Sequence, residues 1–149
     1  VPVDVMEVLK NIELEAVETI KIKGLTIKTE LSGCSKNLEE PFNIFGEKLL
    51  CYSMLVNLIK NAIEASPKGE NILINVDKNE SAVISIHNKG AVPEEMRKKF
   101  FEKFATSGKP KGTGLGTYSA KLIAETLRGQ ISMATSDEHG TTITIQLPS

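Results

Sequence analysis

Composition alone points to almost no chemistry. The 149 residues include only two cysteines, Cys34 and Cys51, too few for a disulfide framework or a metal knuckle and in keeping with a reduced, cytoplasmic compartment. Neither sign of charge is in excess: 18 Lys+Arg stand against 19 Asp+Glu, a formal net charge of -1. That balance argues against binding nucleic acid or a membrane through bulk charge, so neither partner is expected. Apolar runs extend for only a few residues, whereas a spanning helix needs about 20. The opening VPVDVMEVLKN lacks the basic-then-apolar order of a signal peptide. Repeats and low-complexity tracts are missing as well. What is present is ordinary: 40% apolar and 25% charged residues, the balance of one globular domain. Because the chain begins on Val rather than Met, the expectation is a single domain, residues 1–149, excised from something longer.

Hydrophobic spacing supplies the elements. Asp4 with Glu7 three residues on suggests a capping box, and Val5, Val8, Leu9, Ile12, Ala16 and Ile20 recur at helical spacing until Gly24. Leu25 to Leu31 alternates as a strand does, and Phe42 to Phe45 reads as a short strand. A long, mostly apolar helix is predicted from Glu47 to Ala65, stopped by Ser66, Pro67 and Gly69. Strands follow at Ile72–Asp77 and Ala82–Asn88, then a segment rich in Gly, Pro and Lys with one short amphipathic piece near Glu94 to Phe104. A last helix from Thr113 to Gly129 precedes strands at Ile131–Thr135 and Thr141–Leu147. The strands are apolar on one face only: Thr141, Ile143, Ile145 and Leu147 oppose Thr142, Thr144 and Gln146, and Ala82, Ile84, Ile86 and Asn88 oppose Val83, Ser85 and His87. A sheet of that kind is covered on one side. The expected fold is therefore a two-layer α/β sandwich, a mixed sheet of about five or six strands with three helices on one face.

Three features do not fit a plain core-and-surface reading. On the long helix, Ser53, Asn57, Lys60, Asn61 and Glu64 make one narrow polar stripe at spacings of three and four. Such a stripe usually faces water and favours Lys and Glu, whereas two Asn at i and i+4 are poor helix formers. Amide oxygens facing a cleft suit a hydrated Mg²⁺, which keeps several waters. Second, Gly112, Gly114 and Gly116 surround Thr113 and Leu115 at the start of the last helix. Glycines let a ligand approach closely, and the free N–H groups of a first helical turn hold anions. Neither a Walker loop nor a Rossmann fingerprint matches this spacing. Third, Arg97, Lys98, Lys99, Lys103, Lys109 and Lys111 crowd the intervening segment with Phe100, Phe101 and Phe104. Arg97 to Lys99 read as a solvated helix face. Lys109 and Lys111, beside the glycines, are the better phosphate candidates, on a segment suited to a mobile lid.

Taken in order, NLIKNAIEAS, ISIHNKGAVPEEM, FFEKFATSGK, GTGLGTYSAKLIAETLRG and HGTTITIQLP resemble the catalytic ATP-binding domain of sensor histidine kinases, over nearly everything from Glu47 to Pro148. The resemblance implies the ATP-binding two-layer fold shared with type II topoisomerase subunits, a heat-shock chaperone and mismatch-repair ATPases, with ATP and Mg²⁺ as cofactors. It implies that Asn61 coordinates Mg²⁺, that Gly112, Thr113, Gly114, Leu115 and Gly116 lie at the phosphates with Lys109 and Lys111, and that Thr141 supports adenine recognition together with Asn88, Gly90 and Val92. The family's first glycine box is usually Asp-x-Gly-x-Gly, its carboxylate accepting from the adenine amino group. This chain has His87-Asn88-Lys89-Gly90-Ala91-Val92-Pro93 instead, with no Asp and one residue fewer. Either His87 or Asn88 takes the Asp place, and strand alternation favours Asn88. An Asn oxygen still accepts, but charge assistance worth about 1 kcal/mol is lost. On this reading Asn88→Asp restores the carboxylate and raises ATP affinity.

Hydrolytic relatives carry a Glu one turn before the Mg²⁺ asparagine. Here that place is Asn57, whose amide does not titrate and cannot serve as a general base. Asn57 and Asn61 beside the reacting phosphates therefore favour transfer over hydrolysis. The implied activity is γ-phosphoryl transfer to a His on a separate phosphoacceptor helical hairpin of the parent chain, with a response regulator as an indirect partner. A stand-alone serine kinase of the anti-sigma-factor type and a non-catalytic nucleotide-sensing module are the alternatives.

Overall fold

In the computed structural model, residues 2–32, 43–45, 47–78, 81–102 and 116–148 are described. Five strands form one mixed sheet in the order β2-β4-β5-β7-β6. They are β2 (Thr26–Ser32), β4 (Asn71–Lys78), β5 (Ser81–Asn88), β6 (Gln130–Ser136) and β7 (Gly140–Pro148). Only the β2–β4 pair is parallel. A separate ladder joins β1 (Pro2–Asp4) to β3 (Asn43–Phe45). The helices are α1 (Val5–Glu15), α2 (Val17–Lys23), α3 (Lys48–Ala65) and α4 (Gly116–Thr126), with a 3-10 helix at Glu94–Lys99. Among the described residues no helix is long and apolar enough to cross a membrane.

Alternation fixes the register. Ile74, Ile86 and Ile143 lie in one cross-strand row, and Val76, Ile84 and Ile145 lie in the next. All six are buried. Their neighbours Ser85, Thr142 and Thr144 take the other, half-exposed face. A one-residue slip of β5 against its neighbours would turn Ala82, Ile84 and Ile86 to that face. At about 2 kcal/mol for each large side chain, such a slip consumes much of a stability of roughly 5–15 kcal/mol.

The helical layer differs from expectation at two points. The first helix does not run unbroken to Gly24: Ala16, at φ -96° and ψ 8°, separates α1 from α2. Val5, Val8, Leu9 and Ile12 bury α1, but α2 has no fully buried residue and leaves Ile22 80% exposed. Once the core beneath it ends, nothing holds the stripe to a single axis. The second point is the end of α4. The helix stops at Thr126 rather than Gly129, and Arg128 takes the left-handed position at φ 64°. Gly129 N–H bonds Ala124 O and Arg128 N–H bonds Glu125 O, the paired closure of a Schellman motif. Gly129 is small for another reason, since a Cβ there would lie 2.4 Å from Gln146 O.

Helix α3 lies at the centre of this layer, burying Cys51, Met54, Leu55, Leu58, Ile59, Ala62 and Ile63. Burial pushes the Cys51 thiol above its ordinary pKa. At the N-terminal half of α3, Tyr52 Oη donates to the Glu15 carboxylate, and this hydrogen bond raises the phenol's pKa. At the other end Lys23 Nζ donates to Ile63 O at 2.6 Å and to Glu64 O at 3.3 Å. A cation on terminal carbonyls also opposes the negative end of the helix dipole. Both ends of α3 are thereby held by the N-terminal helices.

Candidate functional site

One cross-strand row breaks the apolar face. Beyond Ile86 and Ile143, where two more hydrophobic residues would continue the pattern, Asn88 stands opposite Thr141 and Thr141 opposite Thr135. Asn88 and Thr141 are only 2% and 3% exposed. Buried polar side chains are costly unless bonded, and these are. Thr141 Oγ1 donates to Gly90 O at 2.7 Å. Its single proton is thus used, so the 2.9 Å contact between the two hydroxyls has Thr135 as donor. Thr135 Oγ1 in turn accepts from Val92 N–H at 3.0 Å. Asn88 Nδ2 donates to Gly90 O from the other side, at 3.2 Å. The hydrogen-bond chain from Val92 to Gly90 therefore has one direction throughout.

Gly90 seats this row under α3. A Cβ at Gly90 would lie 2.1 Å from Ala65 O and 3.1 Å from Ala65 C, so the loop touches the last turn of the helix, backbone to backbone. Arg97 closes the loop's far side: Nε donates to Val92 O at 3.0 Å, and the guanidinium meets Asp137 Oδ1 at 3.2 Å. Arg97 is therefore not part of a solvated face, which corrects the expectation for that residue. Lys98 and Lys99 are exposed as expected.

About two turns and one turn back along α3, Asn57 and Asn61 are half-buried, while Lys60 and Glu64 of the same stripe are exposed. Neither Asn57 nor Asn61 has a side-chain hydrogen bond to a described residue. Gly116, which opens α4, lies beside them: a Cβ there would sit 4.0 Å from Asn57 Cβ. Thr117 Oγ1 donates to Phe100 O at 2.7 Å, tying the first turn of α4 to the segment after the 3-10 helix. Asn57 and Ala65 are eight positions apart in α3, about 12 Å along its axis.

Helix α3 thus has a polar cluster at its last turn and another about two turns back. One presents a neutral, oriented amide and hydroxyl row of the kind that reads a flat heterocycle. The other presents, beside Gly116 of α4, two amides that bond to no described residue, groups suited to phosphate oxygens and a hydrated cation. Asn88, Gly90, Val92 and Thr141 come together at the first end, and Asn57, Asn61 and Gly116 at the second. Lys109, Lys111, Gly112, Thr113, Gly114 and Leu115 lie outside the described residues, as does most of the expected lid. Sequence reasoning missed Thr135 and Arg97. Each has one partner 40 or more positions away, Val92 for Thr135 and Asp137 for Arg97, and no local pattern points to those pairs. His87 falls on the opposite face of the sheet, its Nε2 2.7 Å from His139 O. A separate cleft of about 200 Å³, lined by Arg97, Phe100, Phe101, Lys121 and Met133 among others, includes neither polar end.

Comparison with known proteins bears on the family and the fold. The family described as "Histidine kinase-, DNA gyrase B-, and HSP90-like ATPase" matches residues 46–149. The heme sensor protein HssS of Staphylococcus haemolyticus is 33% identical over 106 residues, covering 69% of this chain and 23% of that protein. Sporulation kinase B of Bacillus subtilis is 30% identical over 148 residues, covering 97% of this chain and 33% of that protein. The chain therefore spans a third or less of these curated relatives. Among solved structures, the catalytic domain of the histidine kinase ThkA superposes with a TM-score of 0.83 at 24% identity, covering 99% of this chain and 94% of that one. That likeness is one of fold.

Proposed function

This chain belongs to the histidine kinase-, DNA gyrase B- and HSP90-like ATPase family, and we propose that it is the cytoplasmic, ATP-binding catalytic domain of a sensor histidine kinase, one part of a longer parent chain that a membrane can anchor elsewhere. The observation that carries the proposal is the spacing along α3. The loop of the Asn88–Thr141 row meets α3 at Ala65, and Asn57, beside Gly116, lies eight positions back, about 12 Å along the axis, with Asn61 between them. Adenine takes the first end and the phosphates take the second.

The residues also fit Mg²⁺. Among the described residues no group of three His, Cys, Asp or Glu forms a protein cage, and Asn61 offers one amide oxygen with no competing partner. That donor set suits an ion that keeps its waters and takes the rest of its ligands from phosphate. When bound, Mg²⁺ neutralises charge on the phosphate oxygens. Asn57, one turn before Asn61, bears no ionisable proton and cannot activate water. Its amide positions phosphate oxygens, and the γ-phosphoryl group waits for a nucleophile from elsewhere. Phosphoryl transfer needs chiefly this positioning.

The nucleophile does not come from this chain. Its two histidines are His87 and His139; His87 faces away from α3 and His139 is exposed at the β6–β7 turn. A phosphoacceptor helical hairpin of the parent chain supplies the imidazole, and a response regulator receives the phosphoryl group afterwards. The relatives' names give no support to the serine-kinase or nucleotide-sensing alternatives. Incubation with γ-labelled ATP and Mg²⁺ tests the proposal. The chain alone should remain unlabelled, and adding the hairpin in trans should produce acid-labile phosphate on the hairpin. Acid-labile phosphate on His87 or His139, or acid-stable phosphate on an added protein's serine, would overturn it.

A further inference from the structure

The family's usual carboxylate is missing at the base end, and the loop that follows is one residue short. The structure connects these two departures. Residues 88–90 turn back so closely that Gly90 O comes within 3.2 Å of Asn88 Nδ2 while also accepting from Thr141 Oγ1 at 2.7 Å. A carbonyl oxygen at that distance requires a donor on the side chain facing it. The amide meets the demand with its nitrogen, and among the described residues no donor reaches its oxygen. A carboxylate in the same place would set oxygen against oxygen and would carry a charge at a position only 2% exposed. The charged groups the network reaches, Arg97 and Asp137, already pair with each other at its far side, and Lys89 beside it is exposed.

We infer that Asn88 is a specificity-determining residue whose nitrogen is locked on Gly90 O, so that its oxygen alone is presented to the exocyclic amino group of the base. This rests on the ATP reading above and reverses one expectation drawn from the resemblance: Asn88→Asp should weaken nucleotide binding, not strengthen it.

Calorimetric titration with Mg²⁺–ADP tests this, comparing the unmodified chain with Asn88→Asp and Asn88→Ala at neutral pH and again near pH 5. At neutral pH Asn88→Asp should bind at least about tenfold more weakly than the unmodified chain, from the lost bond and the buried charge. On acidification the deficit should shrink, because a protonated carboxyl regains a donor for Gly90 O; the Asn88→Ala deficit should not change. Taking each variant relative to the unmodified chain at the same pH cancels the titration of the nucleotide itself. Equal or tighter binding by Asn88→Asp at neutral pH would overturn the inference while leaving the ATP reading in place. No binding by the unmodified chain would overturn the ATP reading and this inference with it. If Asn88→Asp does not fold, NMR of the unmodified chain decides: a scalar coupling from the Asn88 side-chain nitrogen to the Gly90 carbonyl carbon supports the lock. Its absence, with other such couplings detected, rejects it.

Discussion

At the Asn88 end, hydroxyls, amide and loop backbone bond to one another before any ligand arrives, in a chain running from Val92 through Thr135 and Thr141 to Gly90. At the Asn57 end the amides of Asn57 and Asn61 bond to no described residue, and Gly116 of α4 lies beside them. The first arrangement belongs to the fold: removing a piece leaves buried donors or acceptors without partners. The second contributes little to the fold and has everything to offer a ligand. In the proposed function, a preformed base site and an open phosphate site would divide the work of holding ATP: binding energy would be gained at the preformed end, and the groups that matter for transfer would be left to engage the reacting phosphates.

This contrast predicts where substitutions cost stability and where they cost binding. The largest expected effect is at Gly90. Gly90→Ala places a methyl group 2.1 Å from a backbone carbonyl that has no rotamer with which to escape. The loop must move away from α3, at roughly 2–4 kcal/mol, and thermal unfolding and ATP titration should both register it. A variant with unchanged midpoint and affinity would mean that the base end is not rigid. A smaller effect is expected at Thr135. Thr135→Val keeps the shape but leaves Val92 N–H without its acceptor and Thr141 without one donor, for about 1–2 kcal/mol. Stability and affinity should fall together, as for any member of a preformed site. A loss of affinity alone would place Thr135 with the ligand-dependent groups and blur the contrast.

Much of this arrangement is legible in the sequence, for identifiable reasons. One-sided alternation in β5 and β7 gives both the two-layer architecture and the face on which Asn88 and Thr141 lie. The same alternation separates Asn88 from His87, which the structure puts on opposite sides of the sheet. The Asn57–Asn61 pair stands out because it defies helix preference on an otherwise apolar helix. The break at Ala16 is not legible, since neither Gly nor Pro marks it and it arises where the core beneath the helix runs out. Strand β1 is three residues long, too short to alternate. Thr135 and Arg97 acquire their roles only when β6 and the 3-10 helix reach partners 40 or more positions distant.

The division between the two ends is tested most directly at Asn61. Asn61→Ala removes a half-buried amide that bonds to no described residue and replaces a poor helix former with the best one. Its unfolding free energy should therefore stay level or rise by up to about 0.7 kcal/mol. Titration with ATP, with and without Mg²⁺, should show that the unmodified chain binds more tightly when Mg²⁺ is present. In the folded Asn61→Ala variant that Mg²⁺-dependent gain should vanish, while the Mg²⁺-independent affinity set by the base end persists. A variant that loses stability but keeps its full Mg²⁺ dependence would contradict the assignment of the phosphate end.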